Sequence, residues 1–139
     1  IKDKDKDKDK NMIRITKLTD YALIILNELS INQTISAREI SNITRVPYAT
    51  TNKILKLLTP EICNAKGGKH GGYYLAYPPE QISLLKILQV MEGNNLSITE
   101  CSHGVDCSLN NFCKTKDKLN LINKEINLIL SKRTLADLK

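Results

Sequence analysis

The chain has 139 residues, a length suited to one compact domain. Hydrophobic residues make up 41% of it, enough for a core, yet no apolar run approaches the roughly 18 to 20 residues that a membrane-spanning helix needs. The charged start lacks the apolar segment of a signal peptide, so we expect a cytoplasmic protein with reduced thiols and no membrane partner.

The net charge of +6 is compatible with a nucleic-acid partner but is weak evidence taken alone. The opening "IKDKDKDKDKN" cannot bury anything, and Met12 resembles a natural start, so we interpret residues 1–11 as an appended leader or a disordered tail. These residues carry five Lys and four Asp, a net +1, which leaves +5 for the remainder. The basic balance therefore belongs to the domain itself.

The first predicted helix is "LTDYALIILNELS", beginning at Leu18. Its apolar residues recur with a helical period, and either Thr19 or Asp20 is expected to cap its start. The periodic positions are Leu18, Ala22, Ile25, Leu26 and Leu29.

The stretch "ISAREISNITRVPYATTNKILKLL" predicts a helix-turn-helix unit. Ser36 and Glu39 fit a capping box, and the following short helix should turn Ala37, Ile40 and Ile43 inward. After the connection "TRV", a second helix should run from Pro47 to about Thr59, where a further proline stops it.

The second of these helices has two contrasting faces. At about 100° per residue, one face is expected to be buried and the other free. The buried face comprises Thr51, Ile54, Leu55 and Leu58. The free face comprises Ala49, Asn52, Lys53 and Lys56, with Tyr48 at its edge. An amide and two lysines suit contact with base edges and phosphates in DNA, and the alternative is an ordinary solvated face.

The next stretch, "ICNAKGGKHGGYYLAYPP", predicts two short strands, 62–65 and 73–76, joined by a glycine-rich loop. A hairpin after a helix-turn-helix is the winged-helix pattern. Lys66, Lys69 and His70 on this loop suit contact with a phosphate backbone or the minor groove. The alternative is a flexible loop with incidental charge.

Two more helices are predicted. "ISLLKILQVMEG" has Ser83 as a plausible cap and Gly93 as a stop. "DKLNLINKEINLILSK" carries a narrow apolar seam formed by Leu119, Ile122, Ile126 and Ile129. Such a seam favours packing on a second copy, which would suit palindromic DNA, and the alternative is packing onto its own domain.

Between these helices, "CSHGVDCSLNNFC" places Cys101, Cys107 and Cys113 at equal five-residue gaps. The gaps match neither a thioredoxin motif nor the tight pairs of common structural zinc sites. A polar loop can fold three thiolates around a metal centre, and thiolates favour an iron–sulfur cluster or zinc; the alternative is three unrelated buried cysteines. His103, Asp106 or a group from a partner chain could fill a fourth position. Cys63, in the predicted wing, is expected to be a small buried apolar residue.

The chain from Met12 onward resembles the Rrf-two family of winged-helix regulators. The resemblance depends on "ITKLTDYAL", "VPYATTNKILKLL", "GGYYLAYPPEQISLLKIL", the spacing C-x5-C-x5-C and "TLADL", in that order. These motifs cover nearly all of residues 12–139. The opening is most similar to NsrR-like members and to regulators of the SUF iron–sulfur assembly operon.

The resemblance implies a homodimeric transcription factor with a 2Fe–2S or 4Fe–4S cluster. Cys101, Cys107 and Cys113 match the family's cluster ligands, and Asp20 matches an aspartate that reaches the cluster of the other subunit in NsrR-like members. The chain departs from the IscR-like pattern at Lys116, where that pattern has a ligand histidine. The wing departs as well, because lysines flank its glycines where many members have an arginine.

The expected fold class is therefore mainly α with a small β-hairpin wing: a winged helix-turn-helix in residues 12–80, then a cluster-binding loop and dimerisation helices in residues 81–139. The expected function is that of a cluster-dependent DNA-binding regulator, a repressor, that senses cluster status, redox state or nitric oxide and controls iron–sulfur assembly genes. The alternatives are a DNA-binding regulator with structural zinc and a cluster-free thiol sensor. No catalytic constellation indicates an enzyme.

Overall fold

A computed structural model describes residues 15–93 and 116–139. Within these ranges the chain is mainly α-helical with one two-stranded antiparallel hairpin, which confirms the expected fold class. The helices are α1 (Lys17–Asn27), α2 (Ala37–Thr44), α3 (Tyr48–Leu58), α4 (Leu84–Glu92) and α5 (Lys116–Lys132). The strands are β1 (Cys63–Lys66) and β2 (Gly72–Leu75), and short 3-10 helices span Pro79–Gln81 and Leu135–Leu138.

Side-chain caps set the starts of three helices. Ser36 Oγ accepts a hydrogen bond from Glu39 N and Ser83 Oγ from Lys86 N, each at 3.1 Å, which confirms both predicted caps. Of the predicted capping box only this Ser36 bond is found among the described residues. The prediction for α1 is wrong, because Thr16 is the cap and its Oγ1 accepts from Thr19 N at 3.3 Å. Thr19 and Asp20 therefore lie inside the first turn, where Thr19 is fully buried and Asp20 is exposed.

One hydrophobic core joins α1, α2, α3, the hairpin and α4. The predicted inward residues of α1 and α3 are buried in it, except that Leu18 is only partly buried. Ile43 is 56% exposed, contrary to expectation. Steps of three residues fall about 60° short of a full helical turn, so the stripe that begins at Ala37 and Ile40 has rotated outward by Ile43.

The chain returns to this core after α5. Leu135 is fully buried, and its N–H donates to Ile82 O at 2.8 Å. Leu84 N donates to Arg133 O, also at 2.8 Å, so the start of α4 is bound to the residue that follows α5. Residues from both 12–80 and 81–139 pack in this one core. The division of the chain at residue 80 therefore stays a prediction about the functions of the two parts. Residues 1–11 lie outside the described ranges.

The hairpin is bound to the start of the helix-turn-helix. Its strands lie one residue away from the predicted bounds, with Cys63 opposite Leu75 and Lys66 opposite Gly72. Tyr73 N donates to Ile35 O at 2.8 Å and Ile35 N donates to Tyr73 O at 3.0 Å. The wing is thereby fixed against the segment that leads into α2. In the part of the chain that the structure describes, no helix is both long and apolar enough to cross a membrane.

Candidate DNA-binding surface and metal-binding segment

Helix α3 shows the two faces that its sequence predicts. Thr51, Ile54, Leu55 and Leu58 are fully buried. On the opposite side Ala49, Lys53 and Lys56 are exposed, Asn52 is partly exposed, and Tyr48 is 44% exposed at the edge. The free face thus presents a small residue, an amide and two cations, a combination that fits a DNA groove.

The turn before α3 is tightly held, which fixes the angle of that helix against α2. Arg45 adopts a left-handed conformation with φ of 66°, and its N–H donates to Ser41 O at 2.9 Å. Ser41 Oγ donates to Val46 O at 2.6 Å, and Thr51 Oγ1 donates to the same carbonyl at 3.3 Å. The free face of α3 is therefore carried on a rigid unit.

The wing places three predicted contact residues at its tip. Lys66, Lys69 and His70 are all exposed. Thr34 Oγ1 donates to His70 O at 2.9 Å, which binds the tip to the segment before α2. The loop presents positive charge from a fixed position, as contact with a phosphate backbone requires.

One arginine next to this surface is not predicted by the sequence. The guanidinium carbon of Arg38, on α2, lies 4.7 Å from the centroid of the Tyr48 ring. Arg38 is exposed. The contact joins residues on two helices, so no spacing rule in the sequence could have shown it.

Hydrogen bonds hold the end of α4, the helix that precedes the cysteine segment in the sequence. Cys101, Cys107 and Cys113 lie outside the described residues. At the end of α4, Glu92 Oε1 accepts hydrogen bonds from Thr16 N at 3.1 Å, Thr16 Oγ1 at 2.8 Å and Thr19 Oγ1 at 2.7 Å. The end of α4, which precedes the cysteine segment in the sequence, therefore lies beside the first turn of α1, the turn that carries Asp20.

Hydrogen bonding also sets the charge state of Glu92. Partial burial alone would raise the pKa of this carboxyl, but the hydrogen bonds from Thr19 and Thr16 more than offset that effect and hold its pKa below the ordinary value. Glu92 is consequently an anion at neutral pH and a firm acceptor for the start of α1.

Asp20 is available as a ligand. Its carboxylate is exposed, and within residues 15–93 and 116–139 it has neither a hydrogen-bond nor an ion-pair partner. Three thiolates and one carboxylate form a chemically reasonable donor set for an iron–sulfur cluster, since thiolates hold such clusters and one position can take another donor. Whether Asp20 meets the three cysteines stays a prediction.

Cys63 belongs to the core, as predicted. It is fully buried in β1, and its Sγ lies 3.4 Å from Thr59 Oγ1. Burial raises the pKa of this thiol, against a smaller lowering by the Thr59 hydrogen bond. A protonated buried thiol is a poor metal ligand.

Comparison with known families decides the identity. Residues 15–139 match the family model described as "Rrf2: Iron-dependent Transcriptional regulator". This chain belongs to the Rrf2 family. It is a transcriptional regulator of the winged-helix type, a class that binds DNA, and such regulators are not enzymes.

Individual relatives agree with the family. This Rrf2 chain is 28% identical over 131 residues to the HTH-type transcriptional regulator NsrR of Shouchella clausii, covering 90% of this chain and 87% of that protein. The structure of CymR, the global cysteine regulator of B. subtilis, has a TM-score of 0.73 at 22% identity, covering 91% and 95% of the two chains. The structure of T. potens IscR has a TM-score of 0.68 at 22% identity, covering 91% and 85%. At these identities the two structures support the fold alone.

Proposed function

We propose that this Rrf2 regulator is a cytoplasmic homodimer whose affinity for DNA depends on an iron–sulfur cluster held by Cys101, Cys107 and Cys113, with Asp20 as a further ligand. We further propose that it acts as a repressor of iron–sulfur assembly genes. The observation that carries the proposal is that the end of α4, after which the three-cysteine segment follows in the sequence, is hydrogen-bonded to the turn of α1 that contains Asp20.

The DNA-binding part of the proposal is supported by α3 and the wing. A rigid helix-turn-helix presents Ala49, Asn52, Lys53 and Lys56, and the hairpin carries exposed cations. The second helix of such a unit enters the major groove, and a wing reaches the neighbouring backbone or minor groove. The wing is bound to the segment before α2, and α3 is bound to the turn after α2, so both surfaces are carried on the same helix and would engage one duplex together.

The regulatory part is supported by the helices that flank the segment. Helix α4 ends at Glu92, which is hydrogen-bonded to Thr16 and Thr19, and α5 begins at Lys116. An iron–sulfur cluster would supply a labile centre that oxygen, nitric oxide or iron shortage can dismantle. A change in the conformation of the segment would alter how α5 packs on α4. In a dimer it would also alter the distance between the two copies of α3, the helices proposed to enter the DNA groove. DNA affinity depends on that separation, because half-sites are spaced by one helical turn.

The decisive experiment begins with purification of the full chain without oxygen. We expect brown protein containing both iron and sulfide, and tight binding to a duplex selected from a random-sequence pool. Removal of the iron should weaken that binding by about tenfold or more, within the usual range of allosteric coupling. Cys107→Ala should lose the iron, whereas the matched variant Cys63→Ala, altered in a buried cysteine outside the segment, should keep it.

Other outcomes identify the alternatives. Colourless protein containing zinc, with unchanged DNA affinity after zinc removal, would establish a structural zinc site. Metal-free protein whose DNA affinity changes only on thiol oxidation would establish a cluster-free thiol sensor. Asp20→Ala should reduce iron retention while leaving the fold intact, because Asp20 is exposed; unchanged retention would remove Asp20 from the ligand set.

A further inference from the structure

A stacked cation lies at the junction of the two helices of the helix-turn-helix. Arg38 is the second residue of α2 and Tyr48 is the first residue of α3. The guanidinium carbon of Arg38 is 4.7 Å from the centre of the Tyr48 ring, within the range of a cation–π contact. Both side chains are exposed, and Tyr48 lies at the edge of the free face of α3, so the pair borders the surface that carries Ala49 and Asn52.

Apart from the ring of Tyr48, no partner that stabilises the charge of Arg38 is found among the described residues. Arg38 lies in the first turn of α2, where the helix dipole presents partial positive charge. Among the described residues, no carboxylate forms an ion pair with Arg38. The free face of α3, at whose edge Tyr48 lies, carries two further exposed cations, Lys53 and Lys56. An exposed cation–π contact adds little to folding, so stability does not explain the arrangement.

Stacking leaves the guanidinium well placed for an anion. The guanidinium carbon lies over the ring, and a guanidinium carries its N–H donors in its own plane, where a contact with its face leaves them free to bind an anion. That fork can donate two parallel hydrogen bonds to the oxygens of one phosphate. In a helix-turn-helix bound to DNA, the first helix crosses the phosphate backbone while the second enters the groove. Arg38 is on the first helix.

We propose that Arg38 contacts a DNA phosphate and that Tyr48 is the positioning residue that holds its guanidinium in place. The inference depends on the DNA binding of the proposed function. It adds a phosphate contact at the edge of the free face of α3. It assigns Tyr48 a second role beside its predicted contact with DNA. A phosphate contact carries no sequence information, so Arg38 should contribute affinity and register, and not base specificity.

The test uses the full, cluster-loaded chain, with anisotropy measured on a selected duplex and on an unrelated duplex over a series of salt concentrations. Arg38→Ala should weaken binding to both duplexes by about tenfold and reduce the salt slope by about two, because each protomer of the proposed dimer loses one phosphate contact. Arg38→Lys should retain the slope but recover only part of the affinity, because lysine lacks the fork. Lys86→Ala, which removes one positive charge paired with Glu61, is the matched control and should change neither quantity.

The role of Tyr48 is tested by coupling. Tyr48→Leu should weaken binding, and adding Arg38→Ala should then cost much less than it does in the wild type; Tyr48→Phe, which keeps the ring, should preserve that cost. Additive effects of Arg38→Ala and Tyr48→Leu would overturn the positioning role.

Three further outcomes would overturn the phosphate contact. They are Arg38→Ala binding like wild type, an unchanged salt slope, and a loss confined to the selected duplex. If the wild type binds neither duplex, the proposed function fails instead, so the two failures are distinguishable. Circular dichroism of each variant confirms folding.

Discussion

Glu92 gathers three hydrogen-bond donors on one carboxylate oxygen, and this single residue binds the end of α4 to the start of α1. Its partner Thr19 is fully buried, although the sequence gives it the character of a surface cap. The burial of Thr19 is understandable once Glu92 is present, because a buried hydroxyl needs a partner. The hydrogen bonds between the end of α4 and the start of α1 therefore share one carboxylate acceptor, in addition to the packing of the two helices in the core.

The charge of Glu92 makes a pH dependence predictable. Its pKa is lower in the folded chain than its ordinary value, so its contribution to stability is fully present above the ordinary pKa and is lost as the pH falls through the lower folded pKa. Glu92→Gln should cost about 1 kcal/mol of unfolding free energy at neutral pH, near the low end for bonds to a charged group because Glu92 is partly exposed.

Urea denaturation of the full chain without added iron provides the measurement. The difference between wild type and Glu92→Gln should shrink as the pH is lowered from about 7 to about 3.5. Glu80→Gln, at an exposed glutamate in the short 3-10 helix, serves as the control and should show no comparable trend. A constant difference across the range would mean that the carboxylate charge does not hold the attachment.

At the scale of elements, the wing depends on a close approach between β2 and the segment before α2. A Cβ added to Gly72 would lie 2.6 Å from the backbone carbonyl of Ile35, and Gly72 has a φ of 154° that side chains rarely adopt. Gly72→Ala should therefore cost about 2 kcal/mol or more in unfolding free energy and should also weaken DNA binding, because the wing loses its attachment.

The hairpin offers its own control for this prediction. A Cβ on Gly67 would meet nothing within 4 Å, so Gly67→Ala should change stability by no more than about 0.5 kcal/mol. Thermal or urea unfolding of the two variants beside wild type separates the cases. Equal stability of Gly72→Ala and Gly67→Ala would show that the hairpin is not pinned at Ile35.

These elements also show what a sequence can predict. The faces of α3 follow from helical period alone, since Thr51 and Ile54 are buried while Lys53 is exposed. The predicted cap of α1 is wrong because Thr16, Thr19 and Asp20, all near its start, are residue types that can cap a helix. The bonds from Thr16 and Thr19 to Glu92 join residues more than 70 positions apart. Such contacts depend on how helices pack, and a local pattern contains no information about that.

At the scale of the whole molecule, α5 is connected to three parts of the chain. It begins at the end of the cysteine segment, packs on α4, and leads to the buried Leu135 in the common core. A displacement of α5 would therefore be felt by the helix-turn-helix through a continuous set of packed residues. In the proposed dimer, the side of α5 that faces away from α4 would be held by the second protomer.

The exposed side of α5 supplies the surface for such a contact. Leu121, Ile122, Leu128 and Ile129 are 60%, 45%, 54% and 61% exposed, and they repeat at a seven-residue interval. The predicted seam is thus divided: Leu119 and Ile126 are partly buried, and Ile122 and Ile129 face outward. A repeat of this kind is suited to packing against a second helix, as the proposed dimer requires.

Ile129→Lys tests the dimer directly. A charge placed in an apolar interface loses its hydration without gaining a partner, so the dimer dissociation constant should rise about tenfold or more. Sedimentation should then show monomer at concentrations where wild type is dimeric, and affinity for a palindromic duplex should fall while binding to an isolated half-site is retained. Ile31→Lys, at a comparably exposed isoleucine between α1 and α2, should leave the dimer intact. If Ile129→Lys sediments as wild type does, α5 is not the dimer contact, and the transmission of cluster state to the reading helices must use another surface.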